Sequence, residues 1–192
     1  MTDPRSIYRQ ALDQTGTIVA AVRPDQLGLP TPCDGWNVRT LLSHMVGAVT
    51  RAALIGEGAD ALAIPAFADE DTADWIAAYS KAAGRALAAW ADGAKLEALF
   101  AVPWGKMPGR GAVTGYAEEI LTHGWDLAAA TGQETERDPA LAEFALEFAR
   151  RAIPPEIREQ APFGPAVEPP PDAGPYTRLA SWLGRTPPAT AG

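Results

Sequence analysis

The sequence predicts an all-α fold, an up-and-down four-helix bundle with additional short helices and a proline-rich C-terminal strap. Apolar residues recur three or four positions apart along several long segments, which is the period of one helix face. Hydrophobic residues make up 47% of the chain and many are alanine, which suits closely packed helices better than sheets. A chain of 192 residues is long enough for one sizeable core, so residues 1–192 are expected to form a single domain.

The first two helices begin at residues that favour helix starts. Asp3 followed by Pro4 combines an N-cap acid with proline at the first helical position, and this pair predicts a helix over residues 4–23. Asn37 is the N-cap candidate for a second helix over residues 38–56, after a loop rich in proline and glycine. The apolar stripe of this second helix consists of Leu41, Leu42, Met45, Val46 and Val49.

The middle of the chain alternates irregular and helical segments. Residues 57–71 show no regular period, whereas residues 73–91 carry apolar side chains at helical spacing. Residues 96–111 are interpreted as a connector that crosses the end of the bundle, because proline and glycine punctuate them. A fourth helix is predicted over residues 112–132, and the rest of the bundle is expected to be organised around it.

The C-terminal part combines one further long helix with a proline-rich segment. Asp138 and Pro139 repeat the helix-start signal of the first helix, and this fifth helix is expected to end before the next prolines. Prolines are too frequent in residues 154–175 for a regular helix, whereas residues 176–183 are expected to form a short one. The residues expected to dock this short helix are Leu179, Trp182 and Leu183. We therefore interpret residues 154–192 as a strap packed on the bundle.

Charge and cysteine content exclude several classes of protein. The net charge is -8 and the pI is near 4.7, so no basic patch is expected for nucleic acid or for an anionic membrane. The N-terminus lacks the apolar core of a signal peptide, and no apolar run is long enough to span a membrane. Cys33 is the single cysteine, which fits a reducing compartment, so a cytoplasmic protein is expected.

His44, Glu119 and His123 are the candidate metal ligands. Glu119 and His123 are four residues apart, so their side chains lie one turn apart on the same side of the predicted helix. Facing helices of a bundle can bring such a pair to a histidine on another helix, here His44. Two imidazoles and a carboxylate leave a coordination position open for water or substrate, as in catalytic sites, and they suit Zn²⁺ as well as Fe²⁺, Ni²⁺ or Co²⁺.

The same residues also have an ordinary structural interpretation. A glutamate four residues before a histidine is common as a solvated pair on a helix surface, and a lone histidine is often simply half-buried. In that alternative, the two histidines never meet. Burying an imidazole or a carboxylate without a partner costs free energy, and a shared metal ion would provide that partner for all three groups.

Other polar residues near these segments have weaker claims. Asp126 lies three residues after His123, where it either holds the second imidazole nitrogen or faces solvent. Glu118 points about 100° away from Glu119 on the helix and is expected at the surface. Cys33 is expected to be a structural thiol, with a nucleophile as the alternative. The aromatic candidates for pocket lining are Trp36, Trp104 and Trp125. The basic candidates for binding an anionic substrate, or for a solvated surface, are Arg39, Arg51, Lys106 and Arg110.

Two segments resemble the DinB-like family, and in particular its actinobacterial branch with the mycothiol-dependent maleylpyruvate isomerase. Residues 31–51 match the pattern Trp-x-Val-x-x-Leu-x-x-His, carried here by Trp36, Val38, Leu41 and His44. Residues 118–133 match the pattern Glu-x-x-x-His-x-Trp-Asp-x-Ala, carried here by Glu119, His123, Trp125, Asp126 and Ala128. Residues 179–185, LASWLGR, resemble the ending of one subgroup that is described as metal-binding.

The resemblance implies a four-helix core that holds a divalent metal, usually zinc, at His44, Glu119 and His123. It also implies an enzyme with a low-molecular-weight thiol such as mycothiol as cosubstrate, which the enzyme transfers to a small electrophile or uses to isomerise a double bond. Related bundles often pair as homodimers. The isomerase carries a separate C-terminal domain with a substrate-binding arginine, for which the proline-rich end leaves no room, so maleylpyruvate itself is not implied.

Three functional classes are therefore compatible with the sequence. The first is a metal-dependent thiol S-transferase or isomerase, in which the metal stabilises a thiolate nucleophile. The second is a metal-dependent hydrolase or tailoring enzyme that activates water and uses no thiol. The third is a non-catalytic metal-binding protein of the stress response. Consumption of thiol during turnover separates the first class from the second.

Overall fold

Six α-helices and one β-hairpin make up the computed structural model, which describes residues 3–60, 63–160 and 164–186. The helices are α1 (Pro4–Ala20), α2 (Val38–Gly56), α3 (Trp75–Ala89), α4 (Gly109–Thr131), α5 (Pro139–Ala152) and α6 (Pro175–Trp182). Short 3₁₀ helices cover Pro24–Gln26, Gly93–Leu96 and Pro155–Gln160. The hairpin pairs β1 (Leu99–Val102) with β2 (Gly105–Pro108) in antiparallel register.

The first four helices form a closed bundle, as predicted. α1 packs against α4 and α3, and α2 packs against the same two helices on the other side. The contact positions are rich in alanine, and fully buried examples from the four helices are Ala11, Ala52, Ala86 and Ala117. Small side chains let helix axes approach closely, so the high alanine content leads to tight packing between the helices. Among the described residues, every helix is too short or too polar to cross a lipid bilayer.

The helix starts follow from the capping residues. Asp3, Asn37 and Asp138 each accept a hydrogen bond from a backbone N–H of the first turn of α1, α2 and α5. Several predicted helix bounds differ from the observed ones by one to three residues. α3 covers Trp75–Ala89 rather than residues 73–91. α1 ends at Ala20 rather than at residue 23, because the chain turns there into the 3₁₀ helix Pro24–Gln26.

The predicted connector over residues 96–111 contains the hairpin, which was not predicted from the sequence. Each strand has only four residues, and most of these are exposed. They show no alternation of apolar and polar side chains from which a strand could be predicted. α4 begins at Gly109, three residues before the predicted start, and Gly132 ends it in the left-handed conformation with φ 70°.

The C-terminal segment lies against the bundle through α5 and α6. α6 contacts α5 and α4, and two of its predicted docking residues, Leu179 and Leu183, are fully buried. Trp182 is half-buried and stacks beneath the guanidinium of Arg158. Residues 161–163 and 187–192 of the predicted strap lie outside the described residues.

Candidate metal centre

His44 of α2 meets Glu119 and His123 of α4 at the interface between these two helices. His44 Nε2 lies 3.3 Å from Glu119 Oε1, and the two imidazole centroids are 4.8 Å apart. One donor atom from each of the three side chains lies within 4.8 Å of the others. The alternative in which the two histidines never meet is therefore wrong. All three side chains are half-buried, so the group is partly open to solvent.

Asp126 holds the far side of His123. Its Oδ2 lies 3.0 Å from His123 Nδ1, and the carboxylate is fully buried. Burial alone would raise the pKa of Asp126, but the hydrogen bond from His123 and the charge of Arg185 lower it to about 2. An ionised carboxylate can only accept, so His123 Nδ1 carries the proton and Nε2 presents its lone pair away from Asp126. This is the arrangement that a metal-binding imidazole requires.

Arg185 is a partner of Asp126 that was not predicted from the sequence. Its Nε lies 3.2 Å from Asp126 Oδ1 and its Nη2 lies 3.0 Å from Oδ2, while its Nη1 donates to the Leu183 carbonyl. This buried pair joins the C-terminal segment to α4. The solvent-facing alternative for Asp126 is wrong because a residue 59 positions away in the chain covers it. No local period could have indicated that contact.

Cys33 completes the surroundings of Asp126. Its Sγ donates to Asp126 Oδ2 over 3.2 Å and lies 3.8 Å from His123 Nδ1. Burial, together with the charge of Asp126, raises the pKa of the thiol to about 12, so Cys33 is a neutral hydrogen-bond donor at pH 7. Burial lowers the pKa of His123, which favours the neutral imidazole that a metal ion needs.

Cys33, His123 and Asp126 form a second group with metal-binding residue types. The carboxylate of that group is already bound by Arg185 through two hydrogen bonds. A cation placed there would face the guanidinium charge directly, and the protonated thiol is a poor ligand. Among the described residues, no lysine or arginine contacts the group of His44, Glu119 and His123, so this group is the stronger candidate.

An aromatic wall, formed by Trp36 and Phe67, flanks the two histidines. The Trp36 ring lies 4.9 Å from the His44 ring and 6.1 Å from the His123 ring, measured between centroids. The Phe67 ring lies 5.2 Å from His44 and 5.3 Å from Trp36. Trp36 is one of the three tryptophans that the sequence suggested as pocket lining. Phe67 was not predicted, because it lies in residues 57–71, where apolar side chains follow no regular spacing.

The other two tryptophans lie away from the candidate ligands. Trp125 is buried in the core, and Trp104 stands largely exposed beside Tyr116 with a centroid distance of 5.0 Å.

Glu118 was expected at the surface, and that prediction is wrong. It is buried and accepts a hydrogen bond from Thr122, because α1, α2, α5 and α6 surround α4 on most sides. Burial raises the pKa of Glu118 to about 7.

The four basic candidates make different contacts. Arg39 donates to the Glu70 carbonyl over 3.0 Å, and Arg51 donates to the Ile64 carbonyl over 2.7 Å. Arg110 pairs with Glu97 at the start of α4. Lys106 is exposed on β2. Arg39 and Arg51 therefore hold the segment between α2 and α3.

Comparison with known proteins gives one family and one fold. Residues 8–128 match the family described as the mycothiol maleylpyruvate isomerase N-terminal domain. Uncharacterised proteins from two strains of Mycobacterium tuberculosis are each 37% identical over 186 residues, which cover 96% of this chain and 98% of the relative. The crystal structure of the mycothiol-dependent maleylpyruvate isomerase has a TM-score of 0.65 at 13% identity, and that of a mutant has 0.66 at 12%. Each match covers 82% of this chain and 70% of the isomerase chain.

Proposed function

This chain belongs to the mycothiol maleylpyruvate isomerase N-terminal domain family, and from that premise we propose that it is a metal-dependent enzyme with a low-molecular-weight thiol as cosubstrate. The thiol, of the mycothiol type, would be transferred to a small electrophile or used to isomerise one. The observation that supports this proposal is the convergence of His44, Glu119 and His123 between α2 and α4, where their side chains are 12–22% exposed.

The residues present fit a divalent cation. In the part of the chain that the structure describes, no lysine or arginine pairs with the Glu119 carboxylate, which lies against His44. His44 Nδ1 is buried without a hydrogen-bond partner among the same residues. A half-buried carboxylate beside two imidazoles is the donor set that Zn²⁺ prefers, and a cation would balance the charge of Glu119. We therefore propose His44, Glu119 and His123 as the ligands, with zinc as the metal.

A bound divalent cation would stabilise a thiolate and so supply a nucleophile near neutral pH. The chain's own residues prepare the position for this chemistry. Asp126 fixes the tautomer of His123, and Arg185 keeps Asp126 ionised and in place. Trp36 and Phe67 cover one side of the imidazoles and restrict the access of water from that side. We also propose that residues 1–192 act as one domain, since Arg185 of the C-terminal segment contacts α4.

Metal content tests the ligand assignment. Plasma mass spectrometry of the purified protein should give about one equivalent of metal, and a His44→Ala, His123→Ala double variant should give none. Glu119→Gln removes the charge with little change in volume, and it should weaken zinc binding strongly. Glu97→Gln is the matched control, because Glu97 is an exposed carboxylate that pairs with Arg110 at the start of α4, nine residues before Glu119. A wild-type protein that holds no metal even after reconstitution with zinc would contradict the proposal.

Thiol assays test the reaction class. Mycothiol supplied with chlorodinitrobenzene should be consumed in S-transfer, whereas mycothiol supplied with maleylpyruvate should be regenerated if the chain is an isomerase. Both can be followed by titrating free thiol and by product absorbance. Loss of activity in Glu119→Gln with retention in Glu97→Gln would connect the reaction to the candidate ligands. A metal-loaded protein that hydrolyses esters at a rate independent of thiol would instead favour the hydrolase alternative.

A further inference from the structure

We propose that the aromatic wall of Trp36 and Phe67 is a binding subsite for a planar apolar group on the molecule that occupies the open side of His44, Glu119 and His123. The inference rests on the proposed function, because it concerns the same site. It narrows the substrate class to compounds that carry a flat, uncharged group close to the reacting atom.

The positions of the two rings carry the inference. Trp36 lies almost parallel to His123, with an interplanar angle of 27°, and Phe67 meets the edge of Trp36 at 71°. Both rings also contact His44. A molecule held beside the two imidazoles would therefore extend directly along an aromatic surface, on which flat groups pack by offset stacking or edge-to-face contact.

The wall is still open to solvent on its outer side. Phe67 keeps 41% of its surface exposed, and Trp36 is half-buried. A single exposed phenylalanine is common on protein surfaces and would not indicate a binding site. Phe67, however, contacts a second aromatic ring and lies beside a cluster of metal-binding residue types. Apolar rings beside a few convergent polar groups are the usual composition of small-molecule sites.

The segment that presents Phe67 is held firmly against α2. The Ser43 hydroxyl donates to the Ala68 carbonyl over 2.7 Å, and the Ala68 N–H donates to the Ser43 carbonyl over 3.0 Å. Gly47 is required beneath it, because a Cβ there would lie 2.4 Å from the Ala66 carbonyl oxygen. Phe67 is thus placed beside His44 before any ligand binds, and preorganisation of this kind lowers the entropic cost of binding.

The contacts of Arg185 favour an apolar group over a carboxylate. Arg185 is the cation linked to the site through Asp126, and its nitrogens already donate to Asp126 and to the Leu183 carbonyl. Its contacts within the described residues use three of the five guanidinium N–H donors, and the side chain is only 12% exposed, so an incoming carboxylate would find little of this cation to bind. The ring of Phe67, in contrast, offers an exposed apolar surface.

Hydroxamate binding to the cobalt-loaded protein tests the subsite without requiring turnover or thiol. Benzohydroxamate and acetohydroxamate chelate through the same two oxygens and differ only in a phenyl against a methyl group, and the visible spectrum of Co²⁺ reports the binding of each. We expect benzohydroxamate to bind more tightly, and we expect Phe67→Ala to reduce this preference about three- to tenfold. Phe67→Tyr should retain the preference. Leu99→Ala removes a side chain that is 63% exposed on β1, and this control should leave the preference unchanged.

Each outcome decides between the inference and the function on which it rests. Equal binding of the two hydroxamates, or a preference that survives in Phe67→Ala, would overturn the subsite. Tighter binding of succinohydroxamate, which carries a carboxylate, would overturn the choice of an apolar group. Mercaptoethanol is then added to the same cobalt protein. A missing thiolate-to-cobalt band beside an intact phenyl preference would contradict the thiol function and leave the subsite standing, and failure to bind cobalt at all would overturn both.

Discussion

Replacing Arg185 with alanine should destabilise the protein strongly, although Arg185 lies one residue before the end of the described chain. The guanidinium makes two hydrogen bonds to Asp126, and their side chains are 12% and 0% exposed respectively. Within the part of the chain that the structure describes, the substitution would leave a fully buried carboxylate with only His123 and Cys33 as partners. Removing one member of a buried ion pair leaves an uncompensated charge, which is the costly part of the change.

The expected loss in free energy of unfolding is about 3 kcal/mol, at the lower end of the range of about 3–5 kcal/mol for breaking a buried pair, because two donors to Asp126 remain. For a chain of this size, about 1 kcal/mol corresponds to about 2–4 °C, so the melting temperature should fall by about 6–12 °C. Urea unfolding followed by circular dichroism measures the free energy directly, and the metal-free protein should be used so that ligand binding does not contribute.

Arg151→Ala is the matched control, because Arg151 pairs with Glu147 across one helix turn while both side chains are more than two-thirds exposed, at 69% and 68%. That pair should contribute less than about 1 kcal/mol. The double variant Arg185→Met, Asp126→Asn removes both charges and should recover part of the loss. An Arg185→Ala variant as stable as Arg151→Ala would refute the reasoning, since the Asp126 charge would then need no buried partner.

Three further predictions concern other contacts of the described structure. Glu118→Gln should remove a pH dependence of the free energy of unfolding. Burial raises the folded-state pKa of Glu118 from 4.5 to about 7, so the wild type should lose stability on the order of 2–3 kcal/mol as pH rises through this interval. Urea unfolding at pH 5 and pH 8 would detect this loss. An equal slope in the variant would contradict this. Gly47→Ala should cost about 1–3 kcal/mol through its clash with the Ala66 carbonyl, whereas Gly84→Ala, which meets no atom within 4 Å, should be neutral or stabilising. Cys33 should react with iodoacetamide about 10³-fold more slowly in the folded than in the urea-unfolded protein, because its thiol pKa is raised from 9.0 to about 12 and the thiolate is the reactive form. Equal rates measured by mass spectrometry would exclude a protected thiol.

The helical architecture could be predicted because its signals are local. α2 covers Val38–Gly56, the same residues that the apolar period and the Asn37 cap predicted. The relation of Glu119 to His123 was also local, since four residues in a helix always place two side chains on one side. The hairpin could not be predicted in this way, because strands of four residues have too few positions to show an alternation of apolar and polar side chains.

The sequence by itself therefore determined the fold class, the long helices and the three candidate ligands, whose motif also indicated the family. Only the tertiary structure decided what surrounds those ligands. Asp126 is buried because Arg185 and Cys33 reach it from 59 and 93 positions away, and Phe67 reaches His44 from a segment without any period. Periodicity and capping report interactions within one or two helix turns, whereas the charge balance of a buried carboxylate depends on whichever distant segments the packed bundle brings into contact with it.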